Sequence, residues 1–179
     1  AQQRRQDPKK TTLTPALSEM TYESNPDNIL TDALRWTDFE DTVKILKQNT
    51  DKVIILADTC HAGALKVSTR AIGSSEELLN ALKLFEGVEG FYRLAASKPG
   101  EESVEKETFR LPGESMGHGA FTYAVLKGIL GDADADGDGL VYISELFRYV
   151  DKTVPKLTRG KQHPHFSTEG TDIPIAKGK

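Results

Sequence analysis

The spacing of apolar and polar positions changes along the chain, and each change marks an element. Residues 1 to 28 are polar, carry Pro8, Pro15 and Pro26 and hold no sustained period, which predicts a flexible leader or processing loop. Phe39, Val43 and Leu46 then recur at helical spacing behind a Thr37/Glu40 capping box and stop at Asn49. The unbroken run Val53-Ile54-Ile55-Leu56-Ala57 predicts a strand covered on both faces. A second helix is expected from Ser74 or Ser75 through Leu78, Leu79, Leu82 and Phe85 to Gly87, and a second strand from about Phe91 to Ala96. Residues 97 to 119 combine prolines, glycines and charges and read as a long exposed loop, either mobile and cleavable or facing a substrate. Phe121, Val125 and Ile129 mark a further helix, Leu146, Val150 and Val154 another, and from Gly160 onward Pro164 and Pro174 predict a terminal loop. Strands alternating with helices predict one α/β domain over residues 29 to 179 with a mostly parallel sheet.

Charge and composition narrow the function. The net charge of −4 is uneven, because residues 1 to 10 carry Arg4, Arg5, Lys9 and Lys10 against Asp7, leaving an acidic body. An acidic body argues against nucleic acid and favours basic peptide ligands, since whole-protein fields steer ligands of opposite sign. The longest apolar run is far below the ~20 residues a membrane helix needs. A single cysteine excludes an intrachain disulfide, so a reducing, cytoplasmic setting is expected.

That cysteine, Cys60, stands in Asp58-Thr59-Cys60-His61-Ala62-Gly63, directly after the apolar strand. In open α/β sheets chemistry gathers beyond the carboxyl ends of strands. A thiol attacks as its thiolate, so a catalytic cysteine also needs a base and donors for the oxyanion. The bland alternative is a cysteine serving as a small buried hydrophobe.

The segment resembles the nucleophile motif of the caspase-like cysteine peptidases, the superfamily of caspases, metacaspases, paracaspases and bacterial relatives. Leu94-Ala95-Ala96-Ser97 is similar to their cleft-lining strand, Gly119-Ala120-Phe121-Thr122-Tyr123-Ala124 with Gly128-Ile129-Leu130 to the helix after their processing loop, and Gln162-His163-Pro164 to their closing segment. The resemblance runs from about residue 29 to the end. It implies a three-layer α/β/α sandwich with a mostly parallel central sheet, Cys60 as nucleophile, Ser97 at the substrate, and a role in proteolytic signalling, cell death or defence. It also implies that Asp58, two residues before the cysteine, selects Arg or Lys through charge-assisted contacts. The alternative for Asp58 is a carboxylate capping the following turn. Residues 97 to 119 would be a natural processing loop, with Lys106 and Arg110 as candidate cut points.

One departure from the family pattern matters. The family carries its base histidine in a His-Gly motif upstream of the cysteine, and residues 1 to 59 hold no histidine. Gly117-His118-Gly119 imitates the letters in the wrong place, while His163 and His165 fit a terminal loop. The chain is therefore expected to be a fragment lacking the first strands, with the base on an N-terminal fragment or another chain. The alternative is an inactive scaffold.

The twelve positions from Asp134 to Glu145 match an EF-hand calcium loop. Asp134, Asp136, Asp138, the Leu140 carbonyl and Glu145 would supply oxygens, with Gly139 at the turn and Val141 facing inward. No cofactor is expected for the chemistry itself, and calcium would act structurally. A calcium-binding helix-loop-helix regulator is the third functional reading.

Overall fold

The computed structural model describes residues 18–19, 34–58, 89–98, 101 and 103–179. The expected helix ending at Gly87, most of the expected leader, and Cys60 with His61 lie outside the described residues. Strand β1 (Ser18–Glu19) pairs antiparallel with β2 (Leu34–Arg35), which runs into α1 (Trp36–Asn49). The helix ends where expected but begins at Trp36, so Thr37, expected as its N-cap, lies within the helix.

Strand β3 (Val53–Ala57) falls on the predicted apolar run and pairs parallel with β4 (Phe91–Ala95), with Val53 opposite Phe91 and Ala57 opposite Ala95. The far side of β4 pairs antiparallel with β8 (His165–Glu169), and β9 (Pro174–Lys177) pairs with β7 (Leu140–Tyr142). The tail is therefore not the loop that its prolines predict. Pro164 precedes β8 and Pro174 is the first residue of β9, positions where a missing N–H leaves the ladder intact. The main sheet carries one parallel and one antiparallel pairing in the order β3-β4-β8, and the chain is a mixed α/β protein.

Helices pack on both faces of β4, whereas Ile54 and Leu56 of β3, a strand expected to be covered on both faces, are 39% and 43% exposed. Every residue of β4 is buried. On one face Val53 and Phe91 meet Val43 of α1, with Phe39 and Ile55 at the edge. On the other, Tyr92, Leu94 and Ala96 join Phe121, Ala124 and Val125 of α2 (Ala120–Lys127) and Leu146, Phe147, Val150 and Val154 of α3 (Ile143–Thr158). Each large side chain buried here stabilises the fold by ~1.5–3 kcal/mol. Leu46, expected on the inner face of α1, is 44% exposed. Lys47 takes that place, one helical turn beyond Val43, and its ammonium donates to the carbonyls of Asp51 at 3.0 Å and Glu89 at 2.7 Å. Gly90 makes the turn into β4 feasible: its φ is 76°, and a Cβ there would lie 1.9 Å from the Asp51 carbonyl oxygen.

Between β4 and α2, strands β5 (Glu105–Lys106) and β6 (His118–Gly119) close a hairpin. Phe109 is buried inside it and stacks on Tyr123 with ring centroids 5.7 Å apart, while Lys106 and Arg110 face solvent. No helix among the described residues is long and apolar enough to cross a membrane.

Candidate active site

Two parallel strands that end level with one another form a rim. Ala57 is opposite Ala95, and the Ala96 N–H donates to the Ala57 carbonyl at 2.9 Å. Asp58 is the first residue past β3 and Ser97 the second past β4, so two of the residues singled out from sequence share this rim.

Asp58 is engaged by α2. That helix begins behind Gly119, an N-cap with no side chain to accept its first amide protons. The Ala120 N–H goes to the Val104 carbonyl at 2.8 Å. The Asp58 carboxylate completes the cap from 64 residues upstream, with Oδ2 accepting the Thr122 hydroxyl and the carboxylate also accepting the Thr122 backbone N–H. Negative charge at a helix N-terminus is favoured further by the aligned peptide dipoles. Gly119 leaves room for the approach, since a Cβ there would sit 3.2 Å from Asp58 Oδ2. The residue as a whole is exposed, yet protein atoms crowd its carboxyl. Loss of hydration pushes the Asp58 pKa above the ordinary carboxylate value, and the two Thr122 hydrogen bonds pull against that rise.

Ser97 is 1% exposed, and its hydroxyl has no hydrogen-bond partner among the described residues. Beside it Gln162, wholly buried, donates from Nε2 to the Ala96 carbonyl at 2.9 Å and accepts the Val104 N–H on Oε1 at 2.9 Å. Its own N–H reaches the Thr158 hydroxyl at 3.2 Å, so one amide ties the end of β4 to the entry of the hairpin and the last turn of α3.

Of the described histidines, His163 lies in the loop expected for it, while His118 and His165 lie in strands. His118 lies in β6 with its ring 2.7 Å from Glu114, and the Leu111 N–H, which donates to Glu114 at 2.9 Å, together with the His118 ring holds the Glu114 carboxyl below its usual range. His163 bonds Glu101 through both its ring, at 2.8 Å, and its N–H, at 2.7 Å. Burial pushes the Glu101 pKa up, but the His163 hydrogen bonds outweigh it and the net shift is downward. His165 opens β8 opposite Ala95, which corrects its assignment to a terminal loop.

The aspartate-rich turn folds as a closed loop. One oxygen from each of Asp134, Asp136 and Asp138 lies within 4.8 Å of the others. Asp134 accepts the N–H groups of Gly137 at 2.8 Å and Gly139 at 3.1 Å. Asp138 accepts that of Leu140 at 2.8 Å. Glu145 is buried and spans the loop, taking the Ala135 and Tyr142 N–H groups at 2.9 Å each. Three converging carboxylates form an all-oxygen donor set suited to a hard cation, and Val141 is fully buried as the calcium-loop pattern requires.

Sequence reasoning passed over Thr122 and Gln162 as working residues. Thr122 occupies the third position of its helix, where a cap bond is expected, but its partner is distant in sequence. Gln162 carried only the signal of its place in the Gln162-His163-Pro164 segment. No family model and no curated protein matches this chain.

Proposed function

We propose that this chain is the nucleophile-bearing part of a caspase-like cysteine endopeptidase of three-layer α/β/α architecture, which hydrolyses peptide bonds after Arg or Lys. One observation supports this above the others: β3 and β4 end on a common rim that carries Asp58 and Ser97, and Cys60 follows Asp58 by two residues, within ~7 Å of extended chain. The Cys60 thiolate attacks the scissile carbonyl to form a thioester, the C–N bond breaks with a proton delivered to the leaving amine, and water then releases the acid and restores the thiol. A histidine from an upstream segment or a second chain moves those protons. Asp58 meets the guanidinium or ammonium of the residue before the cut bond. The Ser97 hydroxyl is buried and has no partner among the described residues, so it would meet a substrate polar group only once the rim opens. Combined with a segment or second chain that carries the histidine, the protein should cut arginyl and lysyl peptides and leave aspartyl ones intact. Cutting after aspartate alone, or no saturable labelling of Cys60 by an arginyl acyloxymethylketone, would leave the inactive-scaffold reading in its place.

The converging aspartates support a second, structural site. Calcium bound by Asp134, Asp136, Asp138, the Leu140 carbonyl and Glu145 would brace the start of α3. At a hundredfold excess over its dissociation constant it should add ~2.7 kcal/mol to stability. The melting temperature should then rise with calcium, and Asp136→Asn with Asp138→Asn should remove the rise. An unchanged melting curve together with no calcium heat in calorimetry rules the site out.

A further inference from the structure

We infer that Thr122 is a positioning residue for substrate selection, acting through Asp58; the inference rests on the peptidase reading above. A carboxylate reads a basic side chain well only if it is charged and held in one orientation, because an arginine fork matches two oxygens in a fixed plane. Asp58 stands at the end of a strand with part of its surface open, and among the described residues the hydrogen bonds that hold its side chain come from another segment. Thr122 fixes it from the opposite direction, its hydroxyl donating to Oδ2 and its backbone N–H to the same carboxylate. With Oδ2 anchored in this way, the carboxylate is held in one orientation for an incoming cation.

The same contact joins two parts of the chain. Thr122 lies three residues after β6, and β6 closes the hairpin formed from residues 105 to 119. The hairpin and the recognition carboxylate are thus mechanically connected through Gly119 and Thr122. The described groups around Asp58 are Thr122 from α2, Gly119 from β6, and beyond Gly119 the exposed Glu105 of β5. The ring of His118, also on β6, is directed to Glu114. Among the described residues no ion pair to Asp58 forms, and its donors are the Thr122 groups.

Removing the hydroxyl takes away one interaction that favours the charged form. In Thr122→Val, which keeps the backbone N–H and the side-chain shape, the Asp58 carboxyl should titrate at higher pH than in the unsubstituted protein, read by carboxyl carbon NMR. The half-saturating concentration of an arginyl acyloxymethylketone at Cys60 should rise about tenfold near neutral pH, with the maximal alkylation rate little changed. That increase should grow as the pH falls, because more of the carboxyl is then neutral. Thr122→Ser, which restores the donor, should return both readouts to their original values. A purely structural role would lower the melting temperature without separating half-saturation from maximal rate. The inference is overturned if folded Thr122→Val labels with an unchanged half-saturation, or if the Asp58 titration does not move. Failure of the peptidase reading looks different: the unsubstituted protein would then show no saturable, arginine-selective labelling, while the NMR titration would still report whether Thr122 holds Asp58.

Discussion

Cys60→Ala should abolish cleavage of arginyl peptides, with a fall of at least ~10³-fold, because no other group in the proposed mechanism forms the covalent intermediate. The substituted protein should still bind an arginyl peptide, since recognition belongs to Asp58 and not to the thiol. Measuring turnover and peptide affinity side by side separates the two roles. Asp58→Asn should show the complementary pattern, with weaker arginyl binding and little change in stability. Asparagine can still accept the Thr122 hydrogen bonds at the start of α2, and the raised Asp58 pKa means that the fold does not favour the charge itself. Residual turnover in Cys60→Ala comparable to that of the unsubstituted protein would remove the thiol from the chemistry.

Gln162→Leu is expected to be the most destabilising of the polar-to-apolar changes. Leucine fills similar space, but the Ala96 carbonyl and the Val104 N–H would each lose a partner in a fully buried place. Each stranded group destabilises by ~1–3 kcal/mol, so about 3 kcal/mol in all is expected, a drop of about 6–12 °C in melting temperature for a chain of this size. Urea titration gives the free energy directly, and a loss below about 1 kcal/mol would mean that the two groups find other partners. The change should also loosen the rim, because Gln162 fixes the strand end just ahead of Ser97.

Strand β3 was legible in full because five successive apolar residues have few other solutions in a folded chain. The two last helices were legible for a similar reason, with positions 121 and 125 and positions 146, 150 and 154 buried on single faces, although Ile129, expected in the same helix as Phe121, lies beyond Lys127 and is 36% exposed. Strands β8 and β9 were not legible. β8, with the sequence His165-Phe166-Ser167-Thr168-Glu169, has no apolar alternation, and Phe166 remains 43% exposed. Such a strand exists because β4 presents a free edge to pair with, and a single segment contains no information about that edge. Within the candidate site, the acid, the thiol and the calcium-loop pattern were visible as neighbours in sequence. The contacts of Asp58 with Thr122 and of Gln162 with Ala96 and Val104 were not, since they join residues 58 to 66 positions apart.

The sequence by itself determined the local elements whose apolar period is strong, the single thiol and its neighbours, and the acidic pattern of the turn before α3. Only the tertiary structure decided which strand ends share a rim, that the Asp58 carboxylate caps a helix far downstream, and that a proline-bearing tail completes two sheets. The physical reason is range. Periodicity and capping act over a few residues, whereas a hydrogen bond between distant segments forms only after burial of both sheet faces has brought those segments together.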